Sequence, residues 1–236
     1  MIQLVCFDLD DTFWHNAPTL MQAEQTLHAW LCEHAPAMPA YSIEHHQSLR
    51  QQLVQQQPEL RHRISALRQQ ALVQALQPYY PAPNAQQLAE AAFEVFLSAR
   101  HQLTLFDDVV PTLETLRQQG YRLAVLTNGN ADIRRVGLGT YFDVIVCAEN
   151  LGIGKPDLRA FQTIEQRSGV AAPQIIHVGD HPRDDMLGAL NAGWNAVWFN
   201  PQQMRWDTAQ QTPHACIAQL HELPALLAQW SAPASN

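Results

Sequence analysis

An apolar run near the start of the chain ends in a group of acidic residues. Ile2 to Phe7 is rich in β-prone side chains, and Asp8, Asp10 and Asp11 follow it directly. Carboxylates this close together repel one another unless a divalent cation or a reaction makes use of them. An ordinary turn after a strand would also explain the acidic group. The stretch therefore offers a nucleophile, an acid/base and metal ligands if other polar groups converge on it.

Three later positions carry polar residues that suit the same chemistry. Thr127 and Asn128 follow an apolar run, Lys155 stands before a proline at a helix start, and Asp180 follows another apolar run. In an open α/β sheet the carboxyl ends of parallel strands meet at one edge, where ligands bind. A turn or a helix cap explains each group taken alone. Their combined placement favours one shared site.

The type of each side chain suggests its role. Asp8 and Asp180 would supply oxygen ligands to Mg²⁺, and Lys155 would balance the remaining charge and hold a phosphoryl oxygen. Thr127 offers a hydroxyl, and backbone N–H groups follow it. A carboxylate is a competent nucleophile in phosphoryl transfer, and Asp10, two residues on, could protonate a leaving group and then activate water.

The elements that must position these residues alternate strand with helix. This alternation predicts right-handed βαβ units and a doubly wound, Rossmann-like parallel sheet, an α/β fold. The predicted strands cover residues 2–8, 121–127, 143–147, 174–178 and 196–199. The predicted helices carry Pro111 in a first turn with Gly120 as the stop, and cover 131–138, 156–168, 184–191 and a last stretch with Leu223 and Trp230.

Residues 16–103 interrupt this alternation and contain no convincing strand. Helical spacing predicts helices from Thr19 to His34, after an N-cap at Ser42, after Pro58, and from an N-cap at Asn84 to Arg100. The sequence thus predicts an α/β core domain formed by residues 1–15 and 104–236, with residues 16–103 inserted as an all-helical cap domain.

The composition and net charge of the chain limit the kinds of molecule that it is expected to bind. The chain has 236 residues and a net charge of −8, which argues against nucleic acid as a partner because phosphate backbones demand Lys and Arg. No apolar run reaches membrane-spanning length and no signal pattern opens the chain. Four cysteines show no CxxC spacing. These features predict a cytoplasmic protein, a monomer or homodimer, that acts on a small molecule.

The motifs resemble those of the haloacid dehalogenase-like hydrolase superfamily. Asp8-Leu9-Asp10-Asp11-Thr12 resembles its DxDxT motif, and Thr127, Lys155 and Gly179-Asp180 resemble the later ones. The resemblance implies a C1-type cap, Asp8 as nucleophile and Asp10 as general acid/base. It further implies Mg²⁺ on the Asp8 carboxylate, the Asp10 backbone carbonyl and Asp180, with substrate held by Thr127, Asn128 and Lys155.

The fourth motif contains two adjacent acids, Asp184 and Asp185. The run that begins at Asp185 matches the family pattern D-x-x-G-A-x-x-A-G better, so Asp185 is expected to orient Lys155 or a metal-bound water. His181 lies in the same loop and has no assigned role.

Several activities occur in this superfamily. Its dehalogenases lack the second acid of the first motif and need no metal, so the presence of Asp10 favours a phosphatase. Its phosphonatases use a cap lysine, and no lysine precedes Lys155. The chain also resembles bacterial flavin-pathway phosphatases that hydrolyse 5-amino-6-(5-phospho-D-ribitylamino)uracil and FMN. The resulting expectation is a Mg²⁺-dependent phosphatase acting on a small phosphorylated metabolite through an aspartyl-phosphate; the alternatives are a haloacid dehalogenase, a sugar phosphomutase or an inactive binding module.

Overall fold

The structure is a computed structural model that describes residues 1–39, 42–207 and 211–231. The chain forms two compact units. The helical unit comprises Asn16–Leu103 and Asn130–Asp132, and the sheet unit comprises Met1–His15, Thr104–Gly129 and the residues from Ile133 onward. A role of the helical unit as a cap over the site stays a prediction. None of the described helices is both long enough and apolar enough to cross a membrane.

The helical unit is built on four α-helices in its described residues. They are α1 (Asn16–His34), α2 (Ile43–Gln56), α3 (Ile64–Leu76) and α4 (Ala82–Arg100). The predicted N-cap is confirmed, since the Ser42 side chain accepts a hydrogen bond from the His45 N–H. The core lies between α1, α3 and α4 and contains Leu27, Leu72 and Phe96.

Three predicted helix starts in this unit are wrong. Helix α1 begins at Asn16 rather than at Thr19. The stretch after Pro58 is not one helix, because Arg63 leaves the helical region with φ −113° and ψ 62° and separates a short 3₁₀ turn, Pro58–His62, from α3. Helix α4 begins at Ala82 rather than after Asn84. Proline is tolerated at a helix start, because the N–H that it lacks would have no intrahelical partner there. Pro81 takes the N-cap position of α4.

A buried histidine in α2 should make the helical unit acid-sensitive. Burial, with Arg50 and Arg68 adding to it, lowers the pKa of His46 to about 3. An unfolded chain takes up this proton below about pH 6.5, whereas the folded chain does not, so stability falls as the pH drops towards 3. Between pH 7 and 5 the loss from His46 is expected to be about 2 kcal/mol.

Urea denaturation at the two pH values measures this loss. A His46→Leu variant should show a pH-dependent loss smaller than that of wild type by the stated amount. His45→Gln, a change at the exposed neighbouring histidine, serves as the control and should keep the wild-type slope. Equal slopes in all three proteins would contradict the assignment.

The sheet unit contains, over its described residues, one sheet of six parallel strands in the order β3-β2-β1-β4-β5-β6. Helices lie on both sides of the sheet, so the predicted Rossmann-like α/β fold is confirmed. The strands are β1 (Leu4–Phe7), β2 (Arg122–Thr127), β3 (Val144–Cys147), β4 (Ile175–Gly179), β5 (Asn195–Phe199) and β6 (Ala215–Ile217). The helices are α5 (Val109–Gln118), α6 (Ala148–Leu151), α7 (Leu158–Ser168), α8 (Gly188–Asn191) and α9 (Leu223–Ser231).

The register of the central strands brings the predicted site residues to one edge. Phe7, the last residue of β1, pairs with Val125 of β2 on one side and with Val178 of β4 on the other. Every residue of β1 and β4 is buried, as expected where helices cover both faces of a parallel sheet. The residues that follow these strands therefore leave the sheet at the same end.

Local differences from prediction occur where the helical pattern is short. Residues 131–138 form turns rather than a helix, and Gly137 adopts φ 89°. Helix α7 begins at Leu158 instead of Pro156, because the Asp157 side chain caps it by accepting from the Arg159 N–H. The predicted helix at 184–191 is a π-helical turn, Pro182–Leu187, followed by α8. The short strand β6 was not predicted.

Candidate active site

The centre of the site is an ammonium group between two buried carboxylates. Lys155 Nζ lies 2.5 Å from Asp8 Oδ1 and 2.6 Å from Asp185 Oδ1. All three side chains are buried, with Lys155 only 3% exposed. Asp8 directly extends β1, since its N–H donates to the Val178 carbonyl at 2.9 Å. The structure thus brings together residues that are up to 177 positions apart in the chain.

Asp185 is held from three directions. His177 Nε2 lies 2.8 Å from Asp185 Oδ1, and the His181 backbone N–H donates to Oδ2 at 2.9 Å. Together with Lys155, these groups engage both oxygens of the carboxylate. Asp185 rather than Asp184 therefore contacts the lysine, and its role in orienting Lys155 during the reaction stays a prediction.

The charges of this cluster do not cancel, because two carboxylates share one ammonium. Burial alone would lower the pKa of Lys155, but Asp185 and Asp8 outweigh it and hold that pKa above its ordinary value. For Asp185 the effect of burial is outweighed by Lys155 and His177, and its pKa lies below the usual range. Burial raises the pKa of Asp8 while Lys155 opposes the rise. Lys155 is thus the group that favours an ionised Asp8.

His177 is a site residue to which the sequence pattern assigned no role. It is fully buried in β4, and burial lowers its pKa, so the neutral ring donates a hydrogen bond from Nε2 to Asp185. The available signal was a single histidine within the otherwise apolar run of β4. A buried polar side chain in such a run needs a hydrogen-bond partner, either at the site or elsewhere in the core.

Asn128 fixes the main chain of Lys155. Its side-chain amide donates to the Lys155 carbonyl at 2.9 Å, and its side-chain oxygen accepts from the Lys155 N–H at 2.8 Å. Both polar groups of the side chain are thereby engaged with the protein. Contact of Asn128 with substrate stays a prediction, and the observed role is to position the lysine.

Thr127 and Asp10 lie on the β2 side of the site. Thr127 Oγ1 accepts a hydrogen bond from the Gly129 N–H at 3.0 Å, so its own hydroxyl proton can point elsewhere. Asp10 Oδ1 accepts from the indole N–H of the buried Trp14 at 2.8 Å. A Cβ atom at Gly129 would collide with Asp10 Oδ2, which shows how closely the loop after β2 approaches this carboxylate.

Asp180 completes an acidic group at the same edge. Oxygens of Asp8, Asp180 and Asp185 lie within 4.8 Å of one another. Burial, together with the charges of Asp185 and Asp11, raises the pKa of Asp180 to about 7. Since the oxygens of Asp185 are already bound by the protein, Asp8 and Asp180 are the donors that suit a hard divalent cation.

Gly179 is required for the close approach of Asp185 to β4. A Cβ atom at Gly179 would lie 2.8 Å from Asp185 Cβ and still closer to the carboxyl group. The Gly179→Ala variant is therefore expected to lose about 1–3 kcal/mol of stability by overpacking. Displacement of Asp185 moves Lys155 with it, so turnover should fall by about 10–100-fold.

Thermal denaturation and steady-state kinetics test this pair of effects. Gly120→Ala is the matched control, because Gly120 has φ 87° and open space around its Cα. That change should destabilise the fold by about 1 kcal/mol through backbone strain while turnover stays at the wild-type level. Wild-type turnover in Gly179→Ala would show that the position of Asp185 does not matter.

The site of this α/β protein is a buried aspartate at the end of the first strand, paired with a lysine from beyond the third. Residues 2–193 match the family model of haloacid dehalogenase-like hydrolases, and the chain belongs to this family.

Comparisons with individual proteins reveal both phosphatases and dehalogenases. The chain is 30% identical to the 5-amino-6-(5-phospho-D-ribitylamino)uracil phosphatase YigB of Escherichia coli, with 96% of each chain covered. It is 33% identical to the phosphoserine phosphatase of Thermus thermophilus over 66% of this chain and 63% of that one. The crystal structure of a 2-haloacid dehalogenase from Pseudomonas syringae pv. Tomato DC3000 matches at 49% identity and TM-score 0.94, covering 98% of this chain and 100% of that one.

These matches confirm the predicted superfamily and the prediction of a hydrolase: curated relatives include phosphatases that act on phosphoric monoesters, and dehalogenases are hydrolases too. The predicted particular function is wrong. The prediction was a Mg²⁺-dependent phosphatase that acts on a flavin-pathway metabolite. The flavin-pathway phosphatase YigB is 30% identical to this chain, whereas the protein in the dehalogenase structure is 49% identical to it. The alternative of a dehalogenase is better supported. Phosphatases of this family usually use a divalent metal, and an acidic group is present here.

Proposed function

We propose that this protein hydrolyses 2-haloacids through a covalent ester on Asp8. The observation that carries the proposal is the 49% identity, over nearly the whole of both chains, to a solved 2-haloacid dehalogenase. The buried pair of Asp8 and Lys155 supports it, because a carboxylate held beside an ammonium can attack carbon as well as phosphorus.

In the first step, Asp8 displaces the halide. Its Oδ1 is bound to Lys155, so Oδ2 is the oxygen that we assign to the attack on C2 of the substrate. A C–O bond forms, the carbon–halogen bond breaks, and the halide leaves with the electron pair. A halide is a weak base, so this step needs no proton donor. The hydroxyl of Thr127 is suited to hold the substrate carboxylate.

In the second step, water hydrolyses the ester. Its oxygen adds to the carboxyl carbon of Asp8, the 2-hydroxyacid leaves, and one proton is released. Asp10 is the predicted base, and the indole of Trp14 orients its carboxylate. Asp10 then returns the proton that it takes from the water, as an acid, to the alkoxide oxygen of the leaving 2-hydroxyacid, and the second proton of the water is released when the Asp8 carboxyl group ionises. Lys155 stabilises the negative charge that develops on the Asp8 oxygen during hydrolysis.

Mg²⁺ is the cation that we propose for the acidic group. Asp8 and Asp180 would hold it, and the Asp10 backbone carbonyl is the third predicted ligand. When bound, it would supply positive charge to an anionic substrate group. Halide displacement by Asp8 has no step that needs this charge, so we expect dehalogenation to persist in EDTA. It stays a prediction that the protein is cytoplasmic, is a monomer or homodimer and has no nucleic-acid partner.

Halide release from 2-chloropropionate tests the proposal. Purified protein is incubated with the substrate in EDTA or in Mg²⁺, chloride is measured by ion chromatography, and lactate is identified by mass spectrometry. We expect equal amounts of chloride and lactate under both conditions. A parallel assay follows phosphate release from p-nitrophenyl phosphate and FMN. Phosphate release in Mg²⁺, with no halide released from chloro- or bromopropionate, would overturn the proposal.

A further inference from the structure

A cavity of about 220 Å³ opens on the sheet unit beside Asp180. Pockets for drug-sized ligands have volumes of roughly 300–1,000 Å³. The smaller volume of this cavity would accept a single ring that carries a few further heavy atoms. Its wall includes residues after β5, where the Asn200 side chain bonds both the N–H and the carbonyl of Met204 at 2.9 Å. This closed turn gives the cavity a fixed wall.

Part of the cavity lining consists of aromatic rings. Phe106 and Phe199 lie with their ring centroids 6.0 Å apart, and the His15 ring packs edge-on against Phe106 at 4.7 Å. Phe199 is buried in β5 and is therefore a rigid part of the surface. The face of an aromatic ring carries partial negative charge and attracts cations.

The cavity is also lined by two carboxylate residues, Asp11 and Asp180. Asp11 is exposed and adopts φ 59°, an uncommon conformation for a residue other than glycine. Its N–H donates to the Trp14 carbonyl at 2.9 Å, which holds the turn in place. The catalytic scheme gives Asp11 no task.

A cavity lined by both aromatic rings and carboxylates is complementary to an organic cation. We propose that this cavity binds a small primary or quaternary ammonium compound with an apolar body, the ring or chain against Phe106 and Phe199 and the cationic group towards Asp11. The negative charge of Asp11 disfavours an anion such as the 2-haloacid, and neither Asp8, Thr127 nor Lys155 lines the cavity, so this site is separate from the one proposed for the substrate.

Calorimetric titration with three probes of similar shape tests the charge preference. Benzylamine carries a positive charge at neutral pH, benzyl alcohol is neutral and benzoate is negative. We expect saturable binding of benzylamine, at least about fivefold weaker binding of benzyl alcohol, and no binding of benzoate. Equal binding of benzylamine and benzyl alcohol, or no saturable binding of benzylamine, would overturn the proposal.

The Asp11→Asn variant tests the assigned residue. Asparagine tolerates positive φ, so the turn should persist, and the dissociation constant for benzylamine should rise about fivefold. Asp107→Asn is the matched control, since it removes the same charge from an exposed residue outside the cavity lining. At about 0.15 M salt the control should bind like wild type. Wild-type affinity in Asp11→Asn would refute the site. Because binding requires no turnover, the outcome is independent of the proposed hydrolysis.

Discussion

The Asp8→Asn variant is expected to lose turnover of 2-chloropropionate by about 10⁴-fold or more. An amide oxygen is a far weaker nucleophile than a carboxylate oxygen, and no ester can then form at this position. Chloride release measured by ion chromatography gives the loss. Asp184→Asn is the matched control. Asp184 lies in the π-helical turn next to Asp185, but its carboxylate faces the His181 ring, whereas Lys155 pairs with Asp185. It should retain most of the activity.

The same variant should fold at least as well as wild type. In wild type, two buried carboxylates share the ammonium of Lys155, and removing the charge of Asp8 leaves one carboxylate with one ammonium. Burial disfavours the extra charge. The melting temperature is therefore expected to stay equal or to rise. A large fall in the melting temperature would mean that the lost turnover reflects unfolding and not chemistry.

Oxygen labelling separates the covalent route from direct attack by water. In a single turnover in H₂¹⁸O, hydrolysis at the carboxyl carbon of the Asp8 ester places ¹⁸O in the Asp8 carboxylate. Mass spectrometry of the peptide that contains Asp8 should show this label, and the first lactate released should be unlabelled. Label in the first lactate alone would contradict the ester.

The predictable part of this fold came from residues whose pattern is local. Buried strands such as β1 and β4 are continuous apolar runs, and their polar ends indicated one edge of one sheet. Helix starts were harder, because α4 begins after Pro81 although Asn84 is the better type of N-cap residue, and α7 begins after Asp157 although Pro156 suits a first helical position. The edge strand β6 has three residues and an exposed Cys216, so its sequence carries almost no periodic signal.

The site shows the same division between local and distant information. Residue type and motif order indicated Asp8, Lys155 and Asp180, but the partners of Asp185 and the bonds of Asn128 depend on chain segments folded against one another. Substrate choice depends even less on any local sequence pattern. Asp10 suggested phosphate esters, yet a carboxylate nucleophile beside an ammonium is compatible with more than one leaving group.

The Lys155→Met variant is expected to have the largest effect on stability. Without the ammonium, Asp8 and Asp185 face one another as buried carboxylates with no cation between them. Removing one partner of a buried ion pair costs about 3–5 kcal/mol. Urea denaturation at pH 7 measures this loss, and turnover should be lost with it because nothing then favours an ionised Asp8.

The loss in this variant should depend on pH in a defined direction. Lys155 opposes the rise in the pKa of Asp8 that burial causes, so without it the folded chain holds a proton on Asp8 that the unfolded chain releases above about pH 4. Stability then falls as the pH rises through this range, and the variant should be weaker at pH 8 than at pH 5. Adding Asp8→Asn removes one of the two facing charges. The double variant should therefore recover about 1–3 kcal/mol at pH 8 and lose most of the pH slope. Additive losses in the double variant would mean that the two carboxylates do not interact through Lys155, and the assignment of this lysine as the group that keeps Asp8 ionised would fail.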